Sequence, residues 1–212
     1  MRPASRAAAA VAATATVLLA VTGCGSGGGD HASSPKPPPP PDLTSAPANL
    51  RWETYQGVAL PFGKDGPAKI NNGAATGYSR TPQGAALAAI QHSIRYALAP
   101  DESWATVAAQ SLVPGPGKDA WVLARERVGY KGTDKAATPR IVGYKITAWT
   151  QDRSDVTVYA TYPDASTSAT DTVVTWSGDW RLLLPDPATK TTANVHDVPA
   201  LASDAVALEA KR

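Results

Sequence analysis

The chain has 212 residues, 18% of them charged, with a formal net charge of +2 and a single cysteine, Cys24. The small net charge argues against a strongly basic face for nucleic acid. One cysteine excludes an internal disulfide and a clustered Cys/His metal site. This length accommodates one domain with long tails.

The first 23 residues have the pattern of a bacterial lipoprotein signal peptide. Arg2 and Arg6 precede an apolar run over residues 7–21, which is shorter than the roughly twenty residues that span a bilayer. Val21-Thr22-Gly23-Cys24 resembles the lipoprotein cleavage pattern of an aliphatic residue, a small residue, glycine or alanine, and cysteine. We expect cleavage between Gly23 and Cys24 and a lipid anchor on Cys24. An ordinary cleaved secretory signal is the alternative.

Residues 24–49 predict a disordered tether. Residues 25–29 are glycine and serine, which form flexible coil. Six of the seven residues at 35–41 are proline, which favours a polyproline II rod. Neither stretch can bury a core, so we expect the tether to hold a domain at a distance from the extracytoplasmic face of the cell membrane.

A globular domain is predicted over residues 50–187. Residues 51–60 contain Trp52 and Tyr55 and predict a first strand or an irregular segment packed on the core. Residues 61–76 are rich in glycine, proline, asparagine and lysine, and this composition is typical of a surface loop.

Three helices follow in the sequence. Thr81 is a good N-cap and Pro82 suits the first helical position. One face of this first helix is apolar, with Leu87, Ile90, Ile94 and Leu98 at helical spacing. His92 lies on the opposite side of the helical wheel, so we expect it to face solvent. Asp101 can cap a second helix, and residues 118–128 predict a third.

Four strands with period-two alternation are predicted over residues 140–149, 155–162, 169–176 and 180–184. In the first of them Val142, Tyr144, Ile146 and Ala148 form the apolar face. A three-residue turn would place Trp176 opposite Trp180 and gather the apolar side chains of the last hairpin on one face. The short turns predict an antiparallel meander.

The predicted fold class is α+β, with N-terminal helices packed on a curved antiparallel sheet of about four strands. This arrangement resembles the nuclear-transport-factor-2-like cone. Residues 77–86 and 176–182 resemble segments of actinobacterial secreted proteins and lipoproteins that often accompany integrative or conjugative elements. The resemblance covers about residues 51–185, implies a relation to accessory domains of conjugation and type IV secretion, and brings no catalytic residues.

Residues 188–212 predict a flexible C-terminal tail. Residues 200–211 have the spacing of a short helix, and a frayed tail is the equal alternative.

The residue patterns favour a non-catalytic scaffold or accessory component of a cell-envelope assembly, and the resemblance implies a conjugation apparatus as one such assembly. We expect no catalytic residues, metal or cofactor. We expect contact with the membrane through the lipid on Cys24, an envelope protein partner and no nucleic acid. A cell-wall glycan or small-ligand binding module is the alternative, and an isomerase or dehydratase is disfavoured because no inward histidine or carboxylate is expected.

Alternation along the strands points to one candidate partner surface. Trp149, Thr157, Tyr159 and Thr161 alternate away from the predicted apolar face. They include two large aromatic side chains, which are enriched at interface centres. The locally basic run over residues 118–145 is interpreted as a solvated face rather than a polyanion site.

Overall fold

The computed structural model describes residues 39–130, 138–189 and 192–209. The chain divides by its internal contacts into two units, Met1–Pro39 and Pro40–Arg212. All of the helices and strands described lie in the second unit. The predicted signal peptide, Gly23, Cys24 and most of the tether lie outside the described residues.

Two small hairpins precede the helices. Strand β1 (Arg51–Tyr55) pairs with β2 (Val58–Phe62), and β3 (Lys69–Asn71) pairs with β4 (Ala74–Thr76), both antiparallel. The two-residue turns, Gln56-Gly57 and Asn72-Gly73, have positive φ at both positions. This is the backbone of the type I′ turn that the right-handed twist of a hairpin favours. The predicted surface loop at residues 61–76 is therefore partly strand.

Helix α1 (Pro82–Leu98) begins where the sequence predicts. The Thr81 hydroxyl accepts a hydrogen bond from the Gly84 amide at 3.0 Å, and Pro82 occupies the first turn. Alanines at 85, 86, 88 and 89 are fully buried. Small side chains on several faces let neighbouring segments approach the helix on all sides, so α1 forms the centre of the domain.

Two shorter helices complete the helical part. They are α2 (Trp104–Ser111) and α3 (Pro116–Arg125). Ser103 is the N-cap residue of α2 in place of the expected Asp101. The third helix starts at Pro116, two residues before the predicted start.

The main sheet is antiparallel and has six strands. They are β5 (Arg140–Trp149), β6 (Arg153–Thr161), β7 (Thr167–Trp176), β8 (Trp180–Leu182), β9 (Val195–Val198) and β10 (Val206–Ala207). The order is β10-β5-β6-β7-β8, and β9 also pairs with β7. Trp176 pairs with Trp180 and Val174 with Leu182, which confirms the predicted three-residue turn.

Two irregularities in β5 change which side chains face the core. The register against β6 shifts between Ile141 and Gly143 and again between Ile146 and Ala148. Each β-bulge adds one residue and reverses the alternation beyond it. Ile141 and Trp149 therefore pack towards the core, whereas the sequence pattern assigned Val142 and Ala148 to that face.

The predicted fold class is wrong. Over the described residues the structure is mostly β, and the three helices found there lie between two small hairpins and the main sheet. The sheet has six strands rather than four because the C-terminal residues add β9 along β7 and β10 along β5. Residues 200–209, which were predicted as a short helix or a frayed tail, contain β10 and no helix.

Candidate functional site

The edge of β7 carries a break in strand pairing. Strand β9 pairs with β7 at Thr167–Thr170, and β8 pairs with the same strand at Val174–Trp176. Residues 171–173 lie between these two paired stretches of β7 and are not part of either ladder. The Asp171 amide donates to the Asn194 carbonyl at 2.7 Å and the Leu183 amide donates to the Val173 carbonyl at 2.8 Å. The chain leaving β8 and the chain entering β9 therefore diverge at this point.

A cavity of about 510 Å³ lies at the break, and we call it the β7 cleft. Its walls are residues 170–173 of β7, Leu182 of β8 with the segment 183–186 that follows it, and Asn194 and Val195. The C-terminal half of α1, the turn 113–115 and the first three residues of α3 line the other sides. Pockets that bind small molecules have volumes of this order.

The walls of the β7 cleft are largely apolar. Aliphatic and proline side chains from every wall face it, namely Ile94, Val113, Pro114, Leu182, Leu184 and Val195. Two hydroxyl groups on the walls already donate to backbone oxygens: Ser93 Oγ to Ala89 at 2.7 Å, and Thr172 Oγ1 to Val156 at 2.6 Å. Because these donors are satisfied within the fold, the cleft favours an apolar occupant.

A close approach at Gly117 shapes one end of the cleft. A Cβ atom at this position would lie 2.4 Å from the Leu184 oxygen and 2.6 Å from the Pro185 oxygen. Only glycine allows the start of α3 to lie against the segment that leaves β8.

Lys118 is the cation on the cleft wall. Burial lowers the pKa of Lys118, and repulsion from Arg181 adds to this effect, while attraction to Asp119 opposes it more weakly. Neither Lys118 nor Arg181 has an ion-pair partner within 4.0 Å among the described residues. The sequence pattern placed Lys118 on a solvated face and missed this position, because the segment that covers it lies more than sixty residues further along the chain.

The four residues of the predicted partner surface do not form an exposed patch. Thr157 and Tyr159 are only 8% and 7% exposed. Trp149 packs against the core because of the bulge before Ala148, and Thr161 is half-buried. The prediction that Thr157 and Tyr159 face solvent is therefore wrong.

The C-terminal segment explains why this side of the sheet is covered. Tyr159 pairs with Gly143, and Leu201 packs so closely on Gly143 that a Cβ atom there would lie 2.8 Å from its side chain. The Lys145 ammonium forms a 2.7 Å ion pair with Asp204 in the same segment. The alternation of residues along the strands does not predict that the C-terminal segment covers this side of the sheet.

His92 lies in the interior, and the prediction that it faces solvent is wrong. It is fully buried, its Nε2 donates to the Trp180 carbonyl at 2.9 Å, and its ring meets the Tyr78 ring edge-on at 5.3 Å. Burial lowers the pKa of His92 to about 4, more than the Trp180 contact and Asp179 raise it. The ring is therefore neutral at pH 7.

Two further polar side chains of α1 are buried. Gln91 donates to the Pro61 carbonyl at 2.8 Å, and Arg95 donates to the Gln91 side-chain oxygen at 2.7 Å and to the Gly73 carbonyl at 2.8 Å. The Arg95 guanidinium also lies over the Tyr55 ring at 4.4 Å. These contacts join α1 to the two hairpins.

This buried cluster does not have the geometry of an active site. His92 lines none of the three cavities described, the β7 cleft included. A general base must reach the substrate proton directly or through one water, and a fully buried ring that opens on none of these cavities has no such access. The cluster acts as a structural link between segments.

The tryptophan side chains do not form a stacking platform. Trp180 is fully buried and the other five are half-buried. Trp176 packs edge-on against Trp180 and Trp104 against Trp121, while guanidinium groups lie over Trp176 and Trp104. The arrangement gives no support to a glycan-binding row.

A family model described as a domain of unknown function, DUF8175, matches residues 9–203. The chain belongs to the DUF8175 family. The DUF8175 match includes the whole wall of the β7 cleft and strand β9, and ends before β10. No curated protein and no solved structure matches the chain.

Two features of the described residues concern contact with a membrane and with metal ions. In that part of the chain, no helix combines the length and the apolar character needed to cross a bilayer. Within the same ranges, no three His, Cys, Asp or Glu side chains lie together as metal ligands would.

Proposed function

We propose that the protein is a lipid-anchored extracytoplasmic binding protein that serves as a non-catalytic accessory component of a cell-envelope assembly. The β7 cleft is the observation that carries the binding role. It combines apolar walls, a volume of about 510 Å³ and one cation. No carboxylate–histidine pair or nucleophile–base pair lines it among the described residues.

The sequence supports the location. Val21-Thr22-Gly23-Cys24 has the lipoprotein pattern, and the proline-rich tether follows Cys24. A tether of this kind restricts the domain to the neighbourhood of the membrane and raises its effective concentration near membrane-bound partners. The resemblance of residues 77–86 and 176–182 to actinobacterial lipoproteins near conjugative elements supports an envelope assembly, with conjugation as one setting.

The anchor is tested with Cys24→Ser in intact cells. We expect the wild-type protein to incorporate labelled palmitate and to enter the detergent phase, because two or more acyl chains anchor a protein stably. The Cys24→Ser chain should incorporate no label and remain in the aqueous phase. Identical partitioning of the two chains would contradict the anchor.

The binding role of the cleft is tested with two matched charge insertions. Val195 is 48% exposed and lines the β7 cleft, whereas Ile70 is 46% exposed and lies on the β3–β4 hairpin. Arginine at either position should leave the fold intact, because surface substitutions usually change stability by less than about 0.5 kcal/mol. In intact-cell crosslinking, Val195→Arg should remove crosslinks to envelope components and Ile70→Arg should keep them. Equal loss in both, or in neither, would refute a role for the cleft.

A small-ligand binding module is the second candidate function. The cleft favours it because about 510 Å³ lies within the range of pockets that hold a small molecule. The two candidates share the same site and differ in its occupant.

A further inference from the structure

The chemistry of the cleft walls restricts the occupant. Aliphatic and proline residues of α1, of residues 113–116 and of the segment after β8 line the cavity, and two of its wall hydroxyls, those of Ser93 and Thr172, are already bonded within the protein. Burial of apolar surface contributes about 25 cal/mol per Å² to binding. The main part of the occupant is therefore an apolar chain.

The charged residues on the cleft walls indicate which charge the occupant should carry. Asp171 is on the wall, but its carboxylate accepts from Thr157 Oγ1 at 2.7 Å and lies 3.9 Å from His196. Thr157 pairs with Lys145, whose side chain lies on the covered side of the sheet, so the Asp171 carboxylate points away from the cleft. Asp186 accepts from the Ala188 amide at 2.8 Å in a turn at the rim.

Asp119, the next residue in the first turn of α3, attracts Lys118 but lies beyond ion-pair distance. Lys118 is the cation on the cleft wall. It is partly desolvated, and the second nearby cation, Arg181, also lacks a carboxylate partner within the described ranges. The Arg181 Nε atom is buried without a hydrogen-bond partner there. Repulsion between Lys118 and Arg181 outweighs the attraction of Asp119, and an anion beside the two cations would relieve this repulsion.

The first turn of α3 adds to the positive electrostatic field of Lys118 and Arg181. Gly115, the N-cap residue, has no side chain to accept the free amides of this ten-residue helix, and Gly115, Pro116 and Gly117 all line the cleft. The N-terminal end of a helix carries a partial positive charge. Asp119 in the first turn offsets part of this charge, and the apolar cavity together with Lys118 and Arg181 favours one further negative group at this end.

We propose that the β7 cleft binds an anionic amphiphile, a single aliphatic chain with a carboxylate or phosphate head placed at Lys118. The inference rests on the proposed binding function and specifies its ligand. The chain lies between α1 and β7, and the head group accepts a hydrogen bond from the Lys118 ammonium. A free fatty acid and a monoacyl phosphate share this chemistry.

The experiment uses the mature chain, residues 24–212, carrying Cys24→Ser so that no attached acyl chain competes for the cleft. Calorimetry below the micelle concentration compares dodecanoate, dodecyl phosphate, dodecanol and dodecylammonium. We expect both anions to bind, dodecanol to bind about tenfold more weakly, and dodecylammonium to bind most weakly, because only the anions accept a charge-assisted hydrogen bond from Lys118 and the ammonium is repelled by it. The relative affinity of the two anions identifies the head group.

Two lysine variants locate the head group. Lys118→Gln should weaken dodecanoate about tenfold and leave dodecanol unchanged. Lys69→Gln, on the exposed β3–β4 hairpin, removes the same charge away from the cleft and should change neither affinity. Backbone amide NMR signals of Gly115, Gly117, Lys118 and residues 171–173 should shift on titration with dodecanoate.

Each other result overturns the inference in a distinguishable way. If dodecylammonium binds as tightly as dodecanoate, or Lys118→Gln changes nothing, the head-group assignment is wrong. If no amphiphile binds while Val195→Arg still abolishes the cellular crosslinks, a protein segment occupies the cleft, and the proposed function stands without this ligand. If neither effect is seen, both proposals are wrong.

Discussion

The Nε2 atom of His92 lies 2.9 Å from the backbone oxygen of Trp180, between α1 and β8. A carbonyl can only accept, so this contact places the proton of the neutral ring on Nε2. The other ring nitrogen, Nδ1, is buried without a hydrogen-bond partner among the described residues. A second proton would create a buried charge with no acceptor, and burial accordingly lowers the pKa of His92 to about 4.

Stability should therefore decrease in mild acid. The pKa of His92 is lower in the folded chain than in the unfolded one, so the unfolded chain takes up the proton first as the pH falls. The contribution is fully present above about pH 6.5 and is lost between about 6.5 and 4. It amounts to about 3 kcal/mol of unfolding free energy, measured by urea denaturation across this range.

Two histidine variants isolate this effect. His92→Gln removes the titrating group and should flatten the dependence of stability on pH between 6.5 and 4. His196→Gln changes a side chain that is 52% exposed on β9 and should keep the wild-type dependence. A His92→Gln chain that loses stability in acid as steeply as the wild type would show that other groups are responsible.

Replacing Asp179 should lower the free energy of unfolding substantially, although this residue lies in a turn. Its carboxylate accepts from the amides of Gly77 at 2.7 Å and Tyr78 at 3.0 Å, across about a hundred residues of sequence. Asp179→Ala leaves both amides without this acceptor and should destabilise the domain by about 2–3 kcal/mol.

The control for Asp179 is Asp164→Ala. Asp164 accepts only from Ser166 in the exposed turn between β6 and β7, so its removal should change stability by less than about 1 kcal/mol. Thermal denaturation of the two variants measures the difference. Equal melting temperatures would mean that the Asp179 contacts do not stabilise the fold.

Replacing each of the two isoleucines of α1 by alanine should lower the free energy of unfolding by different amounts. Ile90 is fully buried, whereas Ile94 is half-buried and lines the β7 cleft. Ile90→Ala should cost about 2–5 kcal/mol through lost burial and a cavity. Ile94→Ala should cost less, because solvent can fill the space that opens in the cleft. A larger loss for Ile94→Ala in chemical denaturation would show that the helix is rotated from this orientation.

Gly117→Ala should destabilise the chain although alanine favours a helix. The new Cβ would meet the Leu184 oxygen at 2.4 Å, so the start of α3 must move away from the segment after β8. We expect a lower melting temperature together with weaker ligand binding in the cleft. Gly129→Ala, where the Cβ would lie 3.5 Å from Asp101, should be tolerated. Equal melting temperatures would contradict the close approach.

Local patterns in the sequence determined a substantial part of this structure. The cap at Thr81 and Pro82 depends on residues within one turn, and it forms as predicted. The hairpin between β7 and β8 depends on a three-residue turn and two apolar faces, and its register is also as predicted. Such features are readable from the sequence because the interacting residues are close together in the chain.

Only the tertiary structure decided the remaining features, because their partners are distant in the chain. Two bulges reverse the alternation of β5 and turn Trp149 inwards. The C-terminal segment covers Tyr159, and β8 closes over His92 from 88 residues away. The β7 cleft exists because β8 and β9 pair with one edge of β7 and leave residues 171–173 outside both ladders. Hydrophobic periodicity and secondary-structure propensity indicate which local structure each segment prefers. Pairing between distant segments determines which face of the sheet is covered and where a cleft remains.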